Sequence, residues 1–120
     1  VGYSCWLESE KDIDSVTAVS GSAPAYFFLI FEIMERAAKD FGLSPTAAKN
    51  LILQTAKGSV AMALNSDSEV SELRRQVTSP GGTTEKAIAT LHAGNLNRLV
   101  YQAMKAALDR AKELSEQYGQ

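Results

Sequence analysis

The sequence predicts an all-α fold, a bundle of several helices preceded by a short extended N-terminal segment, and three observations carry that expectation. Helix start and stop signals recur along most of the chain, at Ser22-Ala23-Pro24, Gly42, Ser44-Pro45 and Gly94-Asn95. Between them apolar residues return every three or four positions. Only Tyr3-Ser4-Cys5-Trp6-Leu7 has the aromatic and small residues without helical period that suit a strand. A lone strand has no partner for its backbone groups. Residues 1–11 are therefore expected to be the end of, or the linker from, a domain outside this segment, with residues 12–120 forming the helical domain.

In order, Asp12 or Asp14 caps a short helix through Val19, which Gly21 interrupts. Ser22 caps a second helix with Pro24 in its first turn, running to about Phe41, where Gly42 gives a left-handed stop. Residues Tyr26 to Phe31 are apolar on every side of that helix, which places it in the middle of something. Ser44 and Pro45 are N-cap and first residue of a third helix to roughly Leu64, whose inner positions, such as Ala48, Ala56, Ser59 and Ala63, are small enough for close helix packing. Ser68 caps a brief helix from Glu69 to Gln76. A fifth is expected from Pro80, capped by Ser79, to about Ala93, where Gly94 stops it. Asn95 caps the last, whose stripe of Leu96, Val100, Ala103, Ala107, Ala111, Leu114 and Tyr118 extends over about six turns. So long a stripe, with an apolar second helix, predicts that another copy of the chain completes the core.

Composition narrows the function. Twelve basic and 14 acidic residues give a net charge of -2, and the densest basic pair is Arg74-Arg75, which argues against a nucleic-acid partner. Cys5 and His92 are each single residues of their kind, so the chain offers no internal disulfide, cysteine metal site or histidine-centred catalytic constellation. A lone cysteine suits a reducing, cytoplasmic setting. The apolar run from Ala23 to Phe31 falls short of the ~20 residues that span a bilayer, and no signal-peptide pattern opens the chain, so no membrane partner is expected.

The segment Val77-Thr78-Ser79-Pro80-Gly81-Gly82-Thr83-Thr84 reads as a helix start stripped of side chains. Gly81 and Gly82 are poor helix formers by about 1 kcal/mol each, so they need a reason to stand there. One reason is close approach of a small anion to the unpaired amides of a helix N-terminus, with Thr84 supplying a hydroxyl on the same face. The other is a tight turn in which the threonines merely cap a helix. The pattern leaves both open.

Two segments together resemble one family. Ser15-Val16-Thr17-Ala18-Val19-Ser20-Gly21-Ser22-Ala23-Pro24-Ala25-Tyr26 is similar to the opening of the C-terminal helical domain of pyrroline-5-carboxylate reductases, and Leu73 to Thr84 looks like that family's signature segment. Gly42-Leu43-Ser44-Pro45 fits the helix break between them, so the resemblance covers nearly all of Asp12 to Leu114. Ala23 departs from the pattern, where the family usually carries a second glycine.

The resemblance implies reduction of 1-pyrroline-5-carboxylate to L-proline with hydride from NADPH or NADH. It also implies an intertwined homodimer, often built into a ring of dimers, and a dinucleotide-binding domain ahead of the helical one. No Gly-rich βα turn for a pyrophosphate occurs here, so residues 1–11 would be the exit from that domain and the fragment alone is expected to be inactive. On this reading the amides of Gly82 and Thr83, with Ser79 nearby, hold the substrate carboxylate. Thr84, the residue assigned to catalysis, bonds the ring nitrogen, and Val77 walls the ring's methylenes. The competing expectations are the helical domain of a related dehydrogenase, which would need an active-site lysine where only Lys86 is near, and a non-catalytic helical interaction module.

Overall fold

The computed structural model describes residues 10–118, all of its regular elements helical. The strand expected over residues 3–7, with Cys5 in it, lies outside the described residues. The helices are α1 (Glu10–Val16), continued by a π-helical stretch (Thr17–Gly21), α2 (Ala23–Asp40), α3 (Pro45–Leu64), α4 (Val70–Gln76), α5 (Thr83–Ala93) and α6 (Leu96–Tyr118). They divide between two compact units, one holding the described residues up to Phe27 and from Asn95 onward, the other Phe28–Gly94.

In the first unit, α1 and the π-helical stretch pack on α6, with Ala18 and Ala111 buried. Ser115 Oγ on α6 donates to Asp14 Oδ1 on α1 at 2.7 Å, and Tyr26 Oη reaches the Ala18 carbonyl at 3.4 Å. The sequence predicts a break at Gly21 and an N-cap at Ser22; the elements do part at Ser22, between Gly21 and Ala23, but no cap forms there. Thr17 and Ser20 donate their hydroxyls to the carbonyls of Ile13 and Val16, and the Ser22 amide closes a wide turn onto Thr17 O at 3.0 Å. The extra residue is absorbed as a π-bulge, so Ser22 stays helical at φ -92°, ψ -28° instead of taking the extended backbone of a cap.

The second unit keeps the predicted break between α2 and α3. Gly42 adopts φ +105°, its amide bonds Lys39 O and that of Leu43 bonds Ala38 O, the double closure of a left-handed helix stop. Ser44 then caps α3, its Oγ accepting from the Ala47 amide at 3.1 Å, with Pro45 in the first position. Such a cap stabilises by about 1 kcal/mol. Ala48, one turn in, is fully buried. The N-cap of α4 is Glu69 and not the predicted Ser68, whose amide instead donates to Ser66 Oγ in a local turn. Between α5 and α6 the left-handed residue is Asn95, at φ +61°, the side chain type that tolerates this conformation best after glycine.

Large apolar residues of α2 that the sequence places in the middle of something are uncovered in the single chain, Phe28 being 69% exposed. The helical run Asp12–Asp40, read through the π-helical stretch, is also long and apolar enough to cross a membrane by length and composition alone. The run from Ala23 to Phe31 falls short only when counted by itself.

Candidate functional site

Residues Val77 to Glu85 all belong to the second unit. Val77 closes α4, its amide donating to the Leu73 and Arg74 carbonyls, and its side chain is 58% exposed. Thr78 is held by α4 as well, its hydroxyl donating to Arg74 O and its amide to Arg75 O. That is a local capping role.

From Ser79 the chain departs from the predicted helix. The Gly82 amide donates to Ser79 O at 3.1 Å, which closes a four-residue turn with Pro80 and Gly81 at its centre, and Gly81 sits at φ +73°. Proline followed by a left-handed glycine is what a type II turn demands. The N-cap of α5 is therefore Gly82, at φ -90°, ψ -177°, and the helix starts at Thr83 where Pro80 was expected. Ser79 is not the cap. Turn chemistry prevails because Gly81 accepts positive φ without strain whereas its helix propensity is poor.

This shift rearranges the donors. The Gly82 amide, expected to hold an anion, is engaged inside the turn, and the Gly81 amide donates to the Glu85 carboxylate at 2.9 Å. The amides of Thr83, Thr84 and Glu85 meet no acceptor among the described residues, since the first helical bond runs from the Lys86 amide to Gly82 O. The hydroxyls of Ser79, Thr83 and Thr84 likewise make no hydrogen bond among the described residues, and all three residues are exposed. Thr84, one residue into α5, shares the helix end with those amides. Gly82 fits tightly: a Cβ there would sit 3.3 Å from Ser79 O and 3.6 Å from Ser79 Cβ.

The arrangement offers three N–H groups at the positive end of a helix dipole, flanked by hydroxyls, which suits a small carboxylate. Among the described residues no group of three His, Cys, Asp or Glu is placed to hold a metal ion. A groove of about 420 Å³ along α2 and α3, lined by Phe28, Phe31, Glu32, Arg36 and Leu53 among others, contains no residue of the turn. Glu85 is the participant that sequence reasoning missed. Its signal was a glutamate three residues after the N-cap, the spacing from which a carboxylate reaches back to the chain before the helix, and it becomes visible only once the cap is placed at Gly82.

These features define a class: an all-helical assembly domain in which a glycine turn leads into an open helix start. The family model for pyrroline-5-carboxylate reductase dimerisation matches residues 10–114, and the chain belongs to that family. A pyrroline-5-carboxylate reductase of Pseudomonas aeruginosa is 54% identical over 120 residues, covering 100% of this chain and 44% of that protein. One from Vibrio alginolyticus is 44% identical over 117 residues, covering 97% and 43%. The structure of a pyrroline-5-carboxylate reductase from Coxiella burnetii superposes with a TM-score of 0.91 at 49% identity, over 95% of this chain and 42% of that one. Plasmodium falciparum pyrroline carboxylate reductase, solved with NADP bound, gives 0.85 at 41% identity over 88% and 40%. The chain thus spans less than half the length of these relatives.

Proposed function

We propose that this chain is the substrate-holding and dimer-forming part of a cytoplasmic pyrroline-5-carboxylate reductase, which reduces 1-pyrroline-5-carboxylate to L-proline with hydride from NADPH or NADH. The observation that carries the reading is the start of α5. Three unengaged amides and the exposed residue Thr84 share that helix end, within a chain that matches the family along almost its whole length.

The substrate carboxylate lies on the amides of Thr83 and Thr84, where the helix dipole favours negative charge. Gly82 serves as the cap, its missing side chain allowing the turn to close on Ser79, which borders the site. Thr84 Oγ1 bonds the ring nitrogen and sets the orientation of the imine, which is the protein's share in a reaction that needs alignment more than acid–base chemistry. Val77, more than half exposed beside the turn, walls the ring's methylene groups. On this reading nicotinamide binding belongs to a dinucleotide-binding domain ahead of the helical one. The bound cofactor supplies the hydride.

Exposed aromatic and aliphatic side chains on α2 support a homodimer, built up into a ring in some assemblies. Covering one phenylalanine is worth at most about 1.5–3 kcal/mol, so many such side chains must be covered together to offset the roughly 4–15 kcal/mol entropy of association. The same burial accounts for the apolar length of Asp12–Asp40 without a bilayer.

Thr84→Ala in the full-length enzyme is the test. Turnover of 1-pyrroline-5-carboxylate is expected to fall by roughly tenfold or more, with helical content unchanged by circular dichroism. Wild-type kinetics from this variant would remove the role given to Thr84.

A further inference from the structure

We infer that Glu85 is a positioning residue that fixes the orientation of the Pro80–Gly81 peptide plane and so sets how tightly the start of α5 holds the substrate carboxylate. The inference rests on the reading of the site given above. A turn with proline at its second position accepts two orientations of its central peptide, types I and II, which differ by turning that peptide over. Gly81 at φ +73° places this turn in the second. In that orientation the Gly81 N–H donates to Glu85 Oε1 at 2.9 Å, and Glu85 stands in the first turn of α5.

Turning the peptide over would put the Pro80 carbonyl oxygen where the Gly81 N–H now points. Two acceptors, that carbonyl and the Glu85 carboxylate, would then face each other, and the helix start would gain a partial negative charge beside the amides of Thr83 and Thr84. Glu85 thus attracts the productive orientation and repels the other. Its own negative charge acts in the opposite sense, since it shares the helix end with the substrate carboxylate. The two effects separate by substitution. Glutamine keeps the acceptor and removes the charge; alanine removes both.

The experiment is steady-state kinetics of the full-length reductase with 1-pyrroline-5-carboxylate. Glu85→Ala is expected to raise KM by about fivefold or more with kcat within about twofold, while Glu85→Gln keeps KM at or below the wild-type value. Gly81→Ala supplies the independent check. Its new Cβ meets nothing within 4 Å, so it penalises only the left-handed backbone, and it should raise KM as Glu85→Ala does. Combining the two should raise KM no further. An alanine variant at position 85 with KM at or below wild type would show that charge alone matters and overturn the inference. So would equal increases for Ala and Gln, or additive effects with Gly81→Ala. A wild-type enzyme that does not reduce the substrate takes away the site reading and this inference together, whereas an active enzyme indifferent to Glu85→Ala removes only the inference.

Discussion

Gly82→Ala is the substitution whose consequence the geometry fixes most closely. The backbone at residue 82 is extended, at φ -90° and ψ -177°, so alanine meets no dihedral penalty there. The penalty is contact. An added Cβ would lie 3.3 Å from Ser79 O, the same oxygen that accepts the Gly82 amide at 3.1 Å, and 3.6 Å from Ser79 Cβ. Relief requires the Ser79–Gly82 turn to open by a few tenths of an ångström, which weakens its closing hydrogen bond and displaces the α5 start from the residues before it. Losing a glycine cap to alanine adds about 0.5–1 kcal/mol of instability, a few degrees in Tm for a domain of this size. Misplacement of about 1 Å in a positioned substrate costs roughly a hundredfold in rate, so a third of that corresponds to roughly fivefold in kcat/KM. Thermal denaturation and steady-state kinetics on the full-length enzyme measure the two effects separately. A variant with wild-type kcat/KM would refute the claim that this turn sets the position of the carboxylate, and wild-type Tm would refute the contact argument itself.

Two further outcomes follow from the helix stop and from the uncovered face of α2. Gly42→Ala introduces a side chain with nothing within 4 Å, so only its φ of +105° is penalised; a loss of roughly 1–2 kcal/mol by denaturant unfolding is expected, and a change below a few tenths would mean the stop relaxes freely. The 120-residue chain should sediment as a dimer at micromolar concentration without oxidising NADPH, and Phe28→Asp, placing a charge on a residue 69% exposed in the single chain, should shift it to monomer; a stable wild-type monomer would contradict the assembly reading.

The dipeptide Ser-Pro occurs twice and shows where sequence reasoning holds and where it fails. At Ser44-Pro45 the next residues are Thr46, Ala47 and Ala48, none of which offers the backbone an alternative strong enough to compete with a helix, and the predicted cap forms. At Ser79-Pro80 two glycines follow, and the same two residues become the first half of a turn because Gly81 takes a positive φ that alanine would resist. The glycine motif does mark a helix start, but the first helical turn was misassigned, and the free amides moved from Gly82 and Thr83 to Thr83, Thr84 and Glu85. The π-bulge at Thr17–Gly21 was hidden for a related reason. Thr17 and Ser20 read as neutral helix residues, yet their hydroxyls, bonded four residues back, hold the chain wound past Gly21. In both places the outcome turns on a competition between two local hydrogen-bonding schemes that differ by little energy. Long-range periodicity does not register such a competition, and at the start of α5 it decides which peptide groups are left without a partner.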